Sequence, residues 1–328
     1  MEKLKVAIVM SGGGARGAFH VGALEYIHLH VNFRFPQLEY SLFSGSSTST
    51  YTALMLAMHK YPELLSTWKS LGVERRTPAR WQTAWKVLRG AGGLYGAGIL
   101  DKLVRKYVRL EDLKITVLMH LASLRDGRYF TLSNTDFSTT NDLQHAATAS
   151  MRTPGYMDPV KSLNSRQGPL RAVVDGSAMH ARPIGEVLAY DPDIIFILST
   201  TAFNPYEREN TFKGLLRRPE KDDAISLAFS LYGEAAPDIL FARDVKEFVR
   251  INHLLRNGSM AVTELNSSLK PMRFVNNVIV SPSTALGDTN DYRKETMVRR
   301  WNAGWMAARD AFMQFDPGLI SADTTAPD

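Results

Sequence analysis

Val6-Ala7-Ile8-Val9-Met10-Ser11-Gly12-Gly13-Gly14-Ala15-Arg16-Gly17-Ala18-Phe19 runs from an unbroken apolar pentapeptide, through a cluster of glycines, into a helical repeat. The apolar run predicts a strand covered on both faces, as in a parallel sheet. Phe19, Val21, Ala23, Leu24 and Ile27 then recur at helical spacing over Ala18 to His30. Glycines at a helix start let several backbone N–H groups converge on one negative charge, and the helix dipole adds to the attraction. Gly12, Gly13, Gly14, Ala15, Arg16 and Gly17 therefore predict an anion cradle.

The same order of strand, turn and helix returns one element later. Tyr40 to Phe43 predicts a second strand, Thr50 to Met58 the helix after it, and Gly45-Ser46-Ser47-Thr48-Ser49 the tight turn between them. A serine at such a turn is pushed above the sheet, where its hydroxyl reaches a carbonyl carbon. Attacking serine and prepared oxyanion donors are the two halves of an acyl-transfer site. Among Ser44, Ser46 and Ser47, only Ser47 has a glycine two places before it and a strand just upstream, so it is the expected nucleophile.

A serine hydroxyl is a weak nucleophile until a base takes its proton. Ala172 to Val174 predicts a short strand that ends at Asp175-Gly176, on the side of the sheet where Ser47 should emerge. Asp175 is thus the expected base of a two-member dyad, which needs no histidine. His20, His145 and His180 are the alternatives, and none has supporting sequence context.

The repeated order predicts an α/β fold of three layers: a mostly parallel central sheet with helices on both faces, and the site at the carboxyl ends of its strands. Ile115 to Ser123 and Arg128 to Leu132 predict a hairpin around Asp126-Gly127, and Asn141 to Gln144 a capping box that opens a short helix. Pro183 should open another helix. Ile194 to Ser199 and Asn276 to Val280 predict two more strands, with helices over Asp222 to Asn257 and Thr296 to Phe315. Residues 1–200 are read as the catalytic domain and 201–328 as a largely helical continuation of the same compact unit.

Composition agrees with a folded enzyme of this kind. Of 328 residues, 45% are hydrophobic and 22% charged, which excludes a disordered chain. The net charge of +6 is a modest excess that suits an anionic lipid surface, while no basic docking module for nucleic acid is present. Zero cysteines excludes disulfides and thiolate metal sites. No histidine pair stands at metal-ligand spacing, so neither metal nor cofactor is expected. Val6 to Met10 is too short for a signal peptide and no run is long enough to cross a bilayer, so a cytoplasmic protein touching membranes at their periphery is expected.

These motifs, in this order, resemble the patatin-like phospholipase family. That family shares a G-G-G-x-[KR]-G oxyanion loop, a G-x-S-x-G elbow and a D-G-[GA] aspartate motif. Gly12 to Gly17 matches the first fully. The second is matched except at Ser49, and Asp175-Gly176-Ser177 matches the third except at Ser177. Ala147-Thr148-Ala149-Ser150 with Pro154-Gly155-Tyr156, and Gly93-Leu94-Tyr95, add to a likeness running from about Lys5 to Ile184. The resemblance implies a lipid acyl hydrolase, related in fold to the α/β-hydrolases, that acts on phospholipid or other lipid esters. It implies a dyad of Ser47 and Asp175, an oxyanion held by the amides of Gly13, Gly14 and Ala15, and an Arg16 that steadies the loop or faces a lipid phosphate. Arg16 on its own residue type reads equally as a surface ion pair. Ser49 places a side chain where the elbow helix should pack closely, and His180-Ala181-Arg182 stands where the family carries Asn before the proline.

Arg75, Arg76, Arg80, Lys86 and Arg89 accompany Trp81, Trp85 and Leu88 on one amphipathic stretch, an expected lipid anchor or else a core-facing aromatic stripe. Two rival readings share the glycine loop. A catalytically impaired lipid-binding protein of the same fold would account for Ser49 and Ser177. A dinucleotide site would need an acid at the carboxyl end of the second strand, where this chain has Gly45-Ser46-Ser47 instead, Glu39 lying before the strand.

Overall fold

The computed structural model describes residues 2–71, 98–154, 157–177, 183–203, 236–258 and 272–317. β1 (Leu4–Met10) forms the middle of the sheet, between β2 (Leu38–Gly45) and β7 (Ile194–Leu198), and it runs parallel to both. Alternation sorts its side chains. Val6, Ile8 and Met10 face one apolar layer, Ala7 and Val9 the other. Burial on both faces is why the segment reads as a continuous apolar run.

β8 (Asn276–Val280) extends the parallel half beyond β7, and β3 (Thr116–Ser123) extends it beyond β2. The other half is antiparallel: β4 (Arg128–Ser133) and β6 (Gly168–Asp175) both pair with β3, and β5 (Val160–Ser165) closes the edge. The expected hairpin forms, with Gly127 taking the positive φ of 60° its turn requires. β5 was not foreseen, because Val160 and Leu163 are its only apolar residues and they do not alternate.

On the larger face lie α1 (Gly17–Tyr26), α2 (Thr48–Ala57), α3 (Tyr61–Leu71), α4 (Gly98–Tyr107), α5 (Thr140–Ser150) and α8 (Lys294–Phe312). The other face is covered by α6 (Pro183–Leu188) and α7 (Ala236–Arg256) through Ile184, Val187, Phe241 and Val245. The structure is therefore the mixed, mostly parallel α/β arrangement expected. Two details differ. α1 widens into a π turn over Ile27–Val31 instead of ending at His30, and α5 is capped by Thr139, whose side chain accepts from the Asp142 amide, not by Asn141. Among the described residues, no helix is long and apolar enough to cross a membrane.

α1 and α8 meet backbone to backbone at two glycines. A Cβ on Gly22 would lie 1.9 Å from the Trp301 carbonyl oxygen, and one on Gly304 would lie 1.9 Å from that of Phe19. Backbone cannot step aside as a rotamer can, so Gly304→Ala must push α8 away from the helix that begins at the glycine loop. The expected cost is about 3 kcal/mol, read as a melting temperature several degrees below wild type; an unchanged melting curve would contradict the crossing.

Candidate active site

Two strands deliver the site by meeting end to end. β4 occupies one edge of β3 from Leu118 to Ser123, so β2 and β6 share the other edge. Gly45, the last residue of β2, stands opposite Met119, and Asp175, the last of β6, opposite Leu121. β2 is parallel and β6 antiparallel to β3, hence their carboxyl ends point at each other. Ser47 and Asp175, 128 positions apart in the sequence, are brought together by this register.

Ser47 sits at φ 56° and ψ −130°, a conformation rare for any residue but glycine. It is the N-cap of α2, yet its side chain makes no capping bond. Serine is a preferred cap because its oxygen can take an exposed helix amide. Here the hydroxyl instead interacts with Asp175 and favours its charged form. Gly45 explains how so sharp a turn packs, since a Cβ there would stand 2.4 Å from the Ser49 carbonyl oxygen.

Asp175 is 2% exposed. Burial pushes its carboxyl up to about 6, opposed by the hydrogen bonds of the Ser177 amide, the Ser177 hydroxyl and the Ser47 hydroxyl. The Ser177 amide lies 2.9 Å from Oδ1. The turn is further tied by the Asp175 amide on the Arg152 carbonyl and the Gly176 amide on the His120 carbonyl. Gly176 itself is required, because a Cβ would come within 2.8 Å of the Leu121 backbone.

The glycine loop lies against the elbow, with the Cβ direction of Gly12 3.3 Å from Ser47 Cβ. Its carbonyls are held one by one. Ser11 O accepts from Ser49 Oγ at 2.7 Å, Gly12 O from Thr200 Oγ1 at 2.7 Å, Gly13 O from the Arg16 amide at 2.9 Å, and Gly14 O from Thr48 Oγ1 at 3.2 Å. A trans peptide sets the next amide opposite to its carbonyl, so holding these oxygens aims the amides of Gly12, Gly13, Gly14 and Ala15. The Gly13 φ of 154° and the Gly14 φ of 54° let the chain turn accordingly. Among the described residues, the amides of Gly12, Gly13 and Gly14 have no backbone acceptor, whereas that of Ala15 donates to Thr289 O at 2.7 Å. Ala15 is thereby corrected as an oxyanion donor: a carbonyl from the far end of the chain already occupies its amide.

Arg16 is also placed differently from a surface pair or a phosphate contact. Its guanidinium is buried, with Nη1 2.7 Å from Oδ2 of the equally buried Asp238 in the first turn of α7. Gly17, at the start of α1, is packed by the Trp68 ring, which a Cβ would meet at 2.4 Å. Ser46 is buried beside the elbow, and Ser44 is turned away, its hydroxyl 2.9 Å from His120 Nε2.

The departure at Ser49 has a compensating role. Its hydroxyl donates to Ser11 O and lies 3.0 Å from His20 Nδ1, so the side chain that replaces glycine fastens the cradle to the elbow helix. His20 supports that bond as a neutral ring: burial, with Arg16 nearby, pushes it down to about 3 against the pull of the Leu198 carbonyl. His145 is half-buried in α5. His180, the 178–182 segment, Gly93 to Tyr95, Gly155-Tyr156 and the whole basic and aromatic stretch from Arg75 to Arg89 lie outside the described residues.

Thr200, Thr289 and Asp238 are the site-forming residues that sequence reading missed. Thr200 follows a predicted strand, which is a usable signal. Asp238 and Thr289 carry none.

A strained serine at a strand-to-helix turn, a buried carboxyl beside it and a carbonyl-pinned glycine loop therefore share one end of the sheet. Residues 8–188 match the model of the patatin-like phospholipase family, more than half of the chain, and the protein belongs to that family. No curated protein matches the chain. Among solved structures, VipD from Legionella pneumophila is similar at 11% identity with a TM-score of 0.38, over 94% of this chain and 66% of that one. The ExoU-SpcU complex from Pseudomonas aeruginosa is similar at 21% identity and a TM-score of 0.25, over 76% of this chain and 52% of that one.

Proposed function

We propose that the protein hydrolyses ester bonds of phospholipids or related lipids through Ser47 and Asp175. Asp175, ionised, accepts the Ser47 proton as Oγ bonds to the ester carbonyl carbon, and the new oxyanion is met by amides of the Gly12–Gly14 loop. Collapse breaks the bond to the alcohol, which leaves with the proton from Asp175 and yields an acyl-serine. Water then attacks the acyl carbon, again giving a proton to Asp175, and the fatty acid departs from restored Ser47. Transient contact with a lipid surface belongs to this reading, since the substrate resides there.

The observation that carries the reading is the left-handed Ser47 whose hydroxyl caps nothing and turns to a buried carboxyl. A scaffold protein would have no reason to hold that strain. The test is mass spectrometry of products from mixed phospholipid liposomes with wild type and Ser47→Ala. Free fatty acid and lysophospholipid, or free fatty acid and the glycerophosphodiester from a lysophospholipid, are expected with wild type only. Equal release by both proteins, or none by either, would remove Ser47 from the chemistry.

A further inference from the structure

We propose that Arg300 is a positioning residue for ester hydrolysis, holding the 286–291 loop so that the Thr289 carbonyl fixes the orientation of the glycine loop. The inference rests on the Ser47 reading above. It concerns a part of the chain beyond the 8–188 match.

Arg300 projects from α8 and is 1% exposed. Among the described residues its guanidinium makes no ion pair with a carboxylate; it gathers three backbone carbonyls of one loop. Nε lies 2.9 Å from Leu286 O, Nη1 2.7 Å from Asp291 O and Nη2 2.6 Å from Asp288 O. The planar fork of arginine suits this, because its donors are fixed relative to one another and so fix the carbonyls as well. Burial, and the nearby positive Arg16 and Arg299, lower its affinity for the proton to about 10, partly offset by Asp291 and Asp288. A buried cation held at that disadvantage is expensive for a mere loop anchor.

The loop it gathers ends on the cradle. Thr289 O accepts the Ala15 amide, and the Cβ direction of Gly14 points within 2.5 Å of the same oxygen. The Gly14–Ala15 peptide is thus gripped at both ends, its carbonyl by Thr48 of the elbow helix and its amide by Thr289. Gly14, at a φ of 54°, is a residue whose backbone would otherwise rotate easily. If that plane turned, the Gly13–Gly14 plane before it would turn too, and with it an amide meant for the oxyanion. Arg300 acts through Thr289 and touches no reacting atom.

The experiment compares wild type, Arg300→Lys, Arg300→Ala and Thr289→Gly for fluorophosphonate labelling of Ser47 and for kcat and KM on a phospholipid ester. Losing one oxyanion donor costs roughly 10²–10³ in kcat, so a misaimed one is expected to lower kcat and labelling about 10–100-fold. KM should move less than about twofold, since ground-state binding is untouched. Added guanidinium should restore part of the Arg300→Ala rate. Should the arginine variants fail to fold, Thr289→Gly tests the same carbonyl without removing a buried charge, and about a tenfold loss is expected there. Folded Arg300→Lys or Thr289→Gly labelled as fast as a reactive wild type would overturn the brace alone. A wild type that is never labelled would overturn the serine reading, and the brace with it.

Discussion

Ser47→Ala is expected to abolish fluorophosphonate labelling and lower kcat at least about a thousandfold, because the acyl-enzyme can no longer form. Its companion Ser47→Gly should be equally inactive and yet more stable. Alanine keeps the Cβ that makes φ 56° and ψ −130° unfavourable, and glycine does not. Strain of this kind costs on the order of 1–3 kcal/mol, so the glycine variant should melt above the alanine variant by a few degrees. In most N-cap positions glycine gains little over serine, since the serine hydroxyl holds a helix amide. Ser47 makes no such bond, and nothing is lost on that account. A glycine variant that melts below the alanine one would mean that the turn is relaxed, and the argument that strain marks the nucleophile would fail. Measurable labelling of either variant would place the reactive hydroxyl elsewhere.

The parts of this architecture that the sequence discloses are those set by local chemistry. β1 is legible because a strand buried on both faces must be apolar throughout, and the turn at Ser47 because only a glycine at position 45 fits 2.4 Å from the Ser49 carbonyl. Asp175 is legible as a carboxyl at a strand end. Contacts between distant segments leave no such mark. The antiparallel join of β6 to β3, which carries Asp175 to Ser47, is a matter of register, and register is fixed by neighbours that sequence spacing does not name. Arg16 with Asp238 spans 222 positions, and Thr289 reaches Ala15 through a backbone oxygen that any residue type could supply. Ser49 and Ser177 show the reverse error. Judged against a motif they are departures, whereas in the fold both are hydrogen-bonding members of the site.

Asp175→Asn should show opposite effects on activity and stability, with the stability effect appearing only as pH rises. Burial raises the folded carboxyl to about 6, whereas the unfolded one titrates near its ordinary value of 3.8. Between these values the folded state holds the proton more tightly, so unfolding releases it, and stability falls as pH rises from about 4 to about 6. Above 6 the loss is complete, on the order of 3 kcal/mol for a shift of this size, set mainly by the burial of the charge. Asparagine carries no charge and retains an oxygen for the Ser177 amide. The variant should therefore match wild type near pH 4 and melt higher at pH 8. Activity moves the other way: wild-type kcat/KM should climb through pH 6 to a plateau as the base ionises, and the variant should stay low and flat across the range. This links the two roles of one group. The desolvation that keeps Asp175 basic enough to take the serine proton is the same desolvation that weakens the fold once the group is ionised. Equal melting differences at pH 4 and pH 8 would show that no buried carboxyl titrates here, and a wild-type rate that does not rise through pH 6 would show that its ionisation does not control the attack.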